Sequence, residues 1–323
     1  MDNQTVLVLA NPAEPQLAML EELPPQTNLA VGNHPDAFTR TAADATVIFN
    51  WSGSRALLQE VFRMCPRVQW VHSRSAGLDT VLFPELVAHP VPLTNGSGVF
   101  SPSLGEFVLG AILYFAKDFR RMIRHQQAGE FEPFDIAMIS GTIGGILGYG
   151  DIGRACATRM RALGMRVLAV KRSAPPVNSV DPLVEQIYSP EQRIEMIQRC
   201  DYIVVAAPLT ESTRGMLGPA EFAAMKPTAV VINVGRGPVI DEAAMVQALS
   251  QGTIKGAALD VFDQEPLPPG HPFYKLENVL LSAHCADHTP DWMDLAMRFF
   301  LDQFARFTNG EPLLNVVNKQ LGY

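Results

Sequence analysis

Positive charge, paired cysteines and long apolar runs are all scarce in this chain, and each shortage removes a class of function. Lys and Arg number 25 against 33 Asp and Glu, a formal net charge of −8. That balance argues against a nucleic-acid partner, although it leaves room for local basic sites. The four cysteines, Cys65, Cys156, Cys200 and Cys285, lie far apart, with no C-x-x-C pair and no zinc-finger spacing. Such spacing favours free thiols in a reducing cytoplasm over a disulfide framework, and no metal site is expected. The N-terminal "MDNQTVLVLANPAEP" has neither a basic n-region nor a long apolar run, so no signal peptide is expected. The most apolar helical stretch, "LGEFVLGAILYFA", is shorter than a membrane span and contains Glu106. The expectation is a soluble, cytoplasmic α/β protein without a membrane partner.

What is present is enough apolar sequence for sizeable cores. Of 323 residues, 47% are hydrophobic and 18% charged. Single cores rarely exceed ~250–300 residues, so two domains are expected. "TVLVLA", "NLAVG", "TVIFN", "VQWVHS" and "VPLTN" read as buried strands of βαβ units. At Ser101-Pro102 the texture changes to a helix start, because Ser caps well and Pro suits the first helical position. Leu104, Phe107, Val108, Ala111, Ile112, Phe115, Phe119 and Met122 follow at helical spacing. They predict one long helix leading into a second domain, with Arg120, Arg121 and Arg124 favouring its C-terminal end. A second series of strands comprises "TIGGILG", "RVLAV", "YIVVAA", "AVVINV", "KGAALD" and "VLLSAH". "SPEQRIEMIQRC" and the Asp241-started "DEAAMVQALS" read as intervening helices. A last helix is predicted from Thr289-Pro290, with Trp292, Leu295, Ala296, Phe299, Phe300, Phe304 and Phe307 on one face and Asn309-Gly310 at its end. This helix is expected to return the chain to the first domain, making that domain discontinuous.

Gly148-Tyr149-Gly150-Asp151-Ile152-Gly153 fits G-x-G-x-x-G between an apolar strand and a helical pattern. The glycines allow a tight turn and close approach of a pyrophosphate, which the helix N-terminus attracts. In the NAD version of this unit an acid roughly 20 residues onward bonds the ribose hydroxyls. Here Ala169-Val170-Lys171-Arg172-Ser173 contains no acid, and the next Asp is Asp181. Lys171 and Arg172 are either solvated charges or partners of a 2′-phosphate, and the missing acid favours NADP(H) over NAD(H).

Four further residues fall at or just beyond strand ends, where ligands bind in open α/β sheets. They are Arg236 in "VVINVGRG", Asp260 and Glu265 in "AALDVFDQEPLP", and His284 in "VLLSAHCADHTP". Alone, each reads as an ordinary surface or structural residue. Together they supply a forked cation for a carboxylate and carbonyl, a proton donor, and a carboxylate to orient it. A dinucleotide completes an inventory for hydride transfer.

These residues resemble the D-isomer-specific 2-hydroxyacid dehydrogenases, in particular glyoxylate/hydroxypyruvate reductases of the NADP type. The resemblance runs over nearly the whole chain through "SRSAGLD", "TNGSGVFSPSLGEFVLG", "GILGYGDIGRA", "APLTESTRGML", "INVGRGPVIDE", "ALDVFDQEPLP", "SAHCADHTP" and "GEPLLNVVNKQLGY". It implies an α/β fold of two doubly wound parallel-sheet domains. A Rossmann-type dinucleotide-binding domain, residues 102–288, would be inserted into a flavodoxin-like substrate (catalytic) domain, residues 1–101 and 289–323. It implies a homodimer with the active site in the interdomain cleft. Arg236 would bind the substrate carboxylate and carbonyl oxygen, His284 would protonate that oxygen, and Glu265 would pair with His284. Backbone N–H groups of Ser75, Ala76 and Gly77 would grip the carboxylate. Asp260 would meet the nicotinamide carboxamide, and Ala207, Pro208, Thr213, Val234 and Gly235 would line the cofactor groove.

Some residues depart from the family's commoner pattern. Ala283 stands where Pro often precedes the His, and Cys285-Ala286-Asp287 follows in place of the commoner small residues. Trp51 and Arg74 either tune substrate choice or serve as a packing residue and a surface ion pair. Formate dehydrogenase, which pairs its His with Gln, is disfavoured by Glu265. A dinucleotide-sensing corepressor-like protein on the same fold is the rival reading.

Overall fold

The computed structural model describes residues 3–172 and 181–323. The chain divides into two compact units, one formed by Met1–Phe100 with Thr289–Tyr323 and the other by Ser101–His288.

The first unit is built on five strands: β1 Thr5–Leu9, β2 Asn28–Gly32, β3 Val47–Asn50, β4 Trp70–Ser73 and β5 Leu93–Asn95. All pairings are parallel, in the order β2-β1-β3-β4-β5, the flavodoxin-like arrangement. Four of the five strands are buried throughout, because helices cover both faces of a parallel sheet. Alternation assigns the faces. Ile48 and Val71 pack with Leu57, Leu58 and Val61 of the helix Arg55–Met64, which Ser54 caps by accepting from Leu57 N–H. Phe49 and Trp70 point the other way and stack on Phe300 of the helix Trp292–Thr308, with centroids 3.9 and 5.5 Å apart.

The second unit holds seven strands: β6 Ile143–Leu147, β7 Arg166–Val170, β8 Gln186–Tyr188, β9 Tyr202–Val205, β10 Val230–Asn233, β11 Gly256–Leu259 and β12 Val279–Leu281. Their order, β12-β11-β10-β9-β6-β7-β8, is again parallel throughout. The direction of winding reverses between β6 and β9, the Rossmann switch point. The two-sheet α/β fold class expected from the sequence is therefore the one observed.

Three element predictions need correction. The stripe after Ser101 is two helices, Ser101–Lys117 and Phe119–Ala128. Asp118 sits between them at φ 50° and accepts from Arg121 N–H, capping the second helix rather than continuing the first. Phe119 and Met122 are consequently exposed, and Arg124 reaches Glu277 at 2.9 Å. "SPEQRIEMIQRC" contains only the short helix Arg193–Ile197 after a 3-10 turn, with Arg193 bonded to Glu221 at 2.7 Å. The last helix starts at Trp292 rather than Thr289 and buries Met297 and Gln303, while Leu295 lies exposed. Among the described residues no helix is long and apolar enough to cross a membrane.

Candidate active site

At the carboxyl end of β6 the glycine-rich turn has two close approaches and one open position. Gly148 lies at φ 98°, and a Cβ there would come within 2.5 Å of Ala207 N. Gly153 sits where a Cβ would come within 2.5 Å of Gly148 O, so the helix Asp151–Ala162 can close onto its strand. A Cβ on Gly150 would meet nothing within 4 Å. Open space above a helix N-terminus fits a pyrophosphate, which backbone N–H groups and the helix dipole hold.

The turn is braced by Asp181, the first acid after β7 in the sequence. Asp181 accepts from Tyr149 Oη at 3.0 Å and pairs with Arg154, whose guanidinium lies 5.7 Å over the Tyr149 ring. Burial raises the Asp181 pKa, but hydrogen bonds from Leu183 N–H, Tyr149 and Arg154 outweigh it and hold the carboxylate below its ordinary value. Burial, then the Asp181 hydrogen bond, pushes the Tyr149 phenol up, so it stays a donor. Nothing in the spacing signals this triad, because Asp181 lies 27 and 32 residues beyond its partners Arg154 and Tyr149. Lys171 and Arg172 stand exposed just past β7, and Lys171 N–H bonds Tyr188 O at 3.1 Å. Ser173 lies outside the described residues.

Across the switch point, the strand ends present the other residues of the set. Buried Asn233 accepts from Gly235 N–H at 3.0 Å and donates to Arg236 O at 3.1 Å, fixing the turn that carries half-buried Arg236. The Arg236 side chain donates to Gly235 O at 2.9 Å. Gly237 follows directly beneath Phe262, with no room for a Cβ. Glu265 Oε1 accepts from Phe262 N–H at 2.9 Å, while its Oε2 meets His284 Nδ1 at 2.7 Å. A carboxylate only accepts, so Nδ1 carries the hydrogen and Nε2 is left for other partners.

His284 has φ 51°, a left-handed conformation that is costly for a non-glycine residue. Buried Asp260 supports it: the Asp260 carbonyl accepts from His284 N–H at 2.8 Å. The Asp260 Oδ1 accepts from Cys285 and Ala286 N–H at 2.9 and 3.1 Å. One Asp260 oxygen thus anchors the histidine loop, a role the sequence did not suggest. Arg236, Asp260 and His284 follow the adjacent strands β10, β11 and β12.

The groove residues are mostly backbone-shaping. Ala207 and Val234 are buried, Gly235 leaves no space for a side chain, and Pro208 is exposed. The Thr213 hydroxyl donates to Pro208 O at 2.6 Å and accepts from Thr210 N–H at 2.8 Å, so it knits its own loop. In the first unit, Ser75, Ala76 and Gly77 follow Arg74 just past the end of β4. Asn95 Nδ2 holds Ala76 O at 2.6 Å and Gly96 N–H holds Ser75 O at 3.3 Å. Among the described residues their own N–H groups donate to no backbone carbonyl. Trp51 is a packing residue with 1% exposure. Arg74 lies over two indoles, at 5.0 Å from Trp51 and 5.4 Å from Trp292.

The sequence profile described as "D-isomer specific 2-hydroxyacid dehydrogenase, NAD binding domain" matches residues 109–286. A glyoxylate reductase of Thermococcus gammatolerans is 31% identical over 271 residues, covering 81% of this chain and 80% of that protein. One from Korarchaeum cryptofilum is 30% identical over 274 residues, covering 81% and 80%. A D-isomer specific 2-hydroxyacid dehydrogenase from Xanthobacter autotrophicus, solved with NADPH and MES, superposes with a TM-score of 0.85 at 27% identity over 100% of both chains. An NADPH-dependent glyoxylate/hydroxypyruvate reductase from Sinorhizobium meliloti, solved with NADP and sulfate, gives 0.83 at 26% over 100% of both. The chain belongs to the D-isomer specific 2-hydroxyacid dehydrogenases. It is therefore an oxidoreductase that works with a nicotinamide dinucleotide on small 2-hydroxy or 2-keto acids.

Proposed function

We propose that this protein is an NADP(H)-dependent reductase of small 2-keto acids such as glyoxylate or hydroxypyruvate, giving the D-2-hydroxy acid where the product is chiral. The observation that carries the chemistry is the 2.7 Å contact between His284 Nδ1 and Glu265. With Nδ1–H held by the carboxylate, protonated His284 donates its Nε2 proton to the substrate carbonyl oxygen, and Glu265 balances the imidazolium charge. The bound dinucleotide supplies the hydride that reaches C2. Arg236 holds the substrate carboxylate and carbonyl oxygen through its forked donors. The N–H groups of Ser75, Ala76 and Gly77 suit a carboxylate in the same way as other backbone nests. Gly148 to Gly153 receive the pyrophosphate, Ala207, Pro208, Thr213, Val234 and Gly235 line the groove, and the Asp260 region meets the nicotinamide carboxamide.

The preference for NADP(H) is supported by the exposed Lys171 and Arg172, by the absence of an acid at the end of β7, and by the engagement of Asp181 with Tyr149 and Arg154. Two structural relatives were solved with NADPH or NADP. A homodimer is supported by exposed Phe119, Met122, Ile123, Phe131, Ile136 and Met138 on the helix Phe119–Ala128 and the chain after it. Four free cysteines suit a reducing cytoplasm.

Absorbance loss from NADPH and from NADH over glyoxylate, hydroxypyruvate, pyruvate and phenylpyruvate tests this reading. Turnover with NADPH far above that with NADH is expected, on glyoxylate or hydroxypyruvate. Equal or better turnover with NADH overturns the cofactor assignment. His284→Ala is expected to keep dinucleotide binding and lose roughly 10²–10⁴-fold in kcat. An active variant sinks the proton-transfer role.

A further inference from the structure

We infer that Glu242 is a positioning residue that holds the turn aiming Glu265 at His284, a role that rests on the proton transfer proposed above. Two residues beyond Asp260 the chain turns from Phe262 to Glu265 without helix or strand to stiffen it. Glu265 reaches back along this turn to accept from Phe262 N–H at 2.9 Å, which leaves its other oxygen for His284. The aim of Glu265 therefore depends on where the backbone of the turn sits. That backbone is held from outside. Asp263 N–H donates to Glu242 Oε2 at 3.3 Å. Phe262 and Asp263 also lie against Gly237, where a Cβ would come within 1.9 Å of Phe262 C and 2.5 Å of Asp263 N. Gly237 and Glu242 belong to one stretch, the 3-10 turn Gly237–Val239 and the start of the helix Glu242–Ser250. The stretch brackets the turn, glycine by close approach and glutamate by hydrogen bond.

Glu242 is itself fixed before it reaches the turn. Its Oε1 lies 3.0 Å from His271 Nε2. His271 Nδ1 accepts from Phe273 N–H at 3.3 Å, so Nε2 carries the hydrogen and donates to the carboxylate. The His271 ring packs on Phe273 with centroids 4.7 Å apart. The His271 and Glu242 side chains are 15% and 27% exposed, so their bond is shielded in part from water. A carboxylate in the first turn of a helix is favoured by the dipole as well. With its two oxygens on His271 and Asp263, Glu242 acts on the His284–Glu265 pair through the backbone. The turn carrying Arg236 has a separate support in Asn233, which bonds Gly235 N–H and Arg236 O. Losing Glu242 should therefore disturb proton transfer more than substrate binding. Proton transfer is sensitive to such shifts, since a misplacement of about 1 Å can cost roughly 100-fold in rate.

The test is steady-state reduction of glyoxylate or hydroxypyruvate by Glu242→Met, which keeps the length of the side chain but offers Asp263 no acceptor. kcat is expected to fall roughly 10- to 100-fold with KM within about twofold of the wild type. Glu242→Gln, which keeps one acceptor oxygen, should recover most of the loss. The loss should vanish in a Glu265→Ala background, where the turn has no carboxylate to aim. A wild-type kcat in Glu242→Met, a rise in KM alone, or a loss that multiplies with Glu265→Ala overturns the inference. Full activity in Glu265→Ala by itself overturns the proton-transfer reading, and the role of Glu242 with it. If Glu242→Met does not fold, His271→Phe keeps the ring on Phe273 and frees one Glu242 oxygen. It should show the same pattern at smaller amplitude, and an unchanged kcat or a multiplying loss overturns the inference there too. If no 2-keto acid is reduced, the reading under Proposed function fails by itself. The NMR signal of the His284 Nδ1–H proton, held by Glu265 in the wild type, then reads the pair directly. It should disappear in Glu265→Ala and broaden or disappear in Glu242→Met; an unaltered signal in folded Glu242→Met overturns the role of Glu242.

Discussion

His72 is a fully buried histidine in the middle of β4, ringed by Phe49, Trp70, Phe299 and Phe300 at centroid distances of 5.4–5.9 Å. Trp70 Nε1–H donates to Thr94 Oγ1 at 2.8 Å, and that hydroxyl lies 2.7 Å from His72 Nδ1. Its Nε2 finds no acceptor among the described residues, so a second proton would be stranded. Burial lowers the pKa from 6.5 to about 3. Below pH 6.5 the unfolded chain binds a proton that the folded chain refuses, so stability falls with pH down to about 3 and is unaffected above the window. Denaturant unfolding at pH 7 and pH 5 should differ by about 2 kcal/mol from this residue alone. His72→Asn should flatten that part of the slope; an unchanged slope would contradict the assignment. Residues such as His284 and Glu265 were legible in the sequence because each follows a recognisable strand in a recognisable spacing. His72 was not, since its environment is set by rings from a helix more than two hundred positions further along. Asp181 is visible in the sequence only as the next Asp after β7, and it reaches Tyr149 only once the sheet has brought them together.

At the scale of elements, the glycine-rich turn separates folding from binding. Gly148→Ala places a Cβ 2.5 Å from Ala207 N at φ 98°, and should cost roughly 1–3 kcal/mol of stability. Gly150→Ala meets nothing within 4 Å, so its Tm should stay near that of the wild type while dinucleotide affinity falls at least about tenfold. Equal losses of Tm in the two variants would contradict this division. Strands were the most readable elements, because parallel strands buried on both faces appear as unbroken apolar runs. Three-residue β8 at the sheet edge was too short to show such a run. The break at Asp118 was also missed. Apolar periodicity continued through it, although an Asp three residues before Arg121 is the kind of residue that starts a helix.

At the scale of the whole molecule, the proposed homodimer predicts a sedimentation mass about twice the 35.3 kDa of one chain. Replacing Phe131 and Ile136 by Ser should shift it toward the single-chain mass, because the side chains are 101% and 53% exposed in one copy. A wild type that sediments as a monomer at micromolar concentration would remove the proposal.

The way the chain is threaded also has a consequence for its synthesis. The unit Ser101–His288 is continuous and can assemble as soon as its own residues have emerged from the ribosome. The five-stranded unit cannot. Its β3 and β4 lean on Phe300, and β5 receives an N–H from Val317 at 2.8 Å. Although translated first, the N-terminal strands must wait with one apolar sheet face uncovered until those late residues arrive. The nascent chain is therefore most prone to aggregation and chaperone capture at its beginning, and it matures from the middle outward.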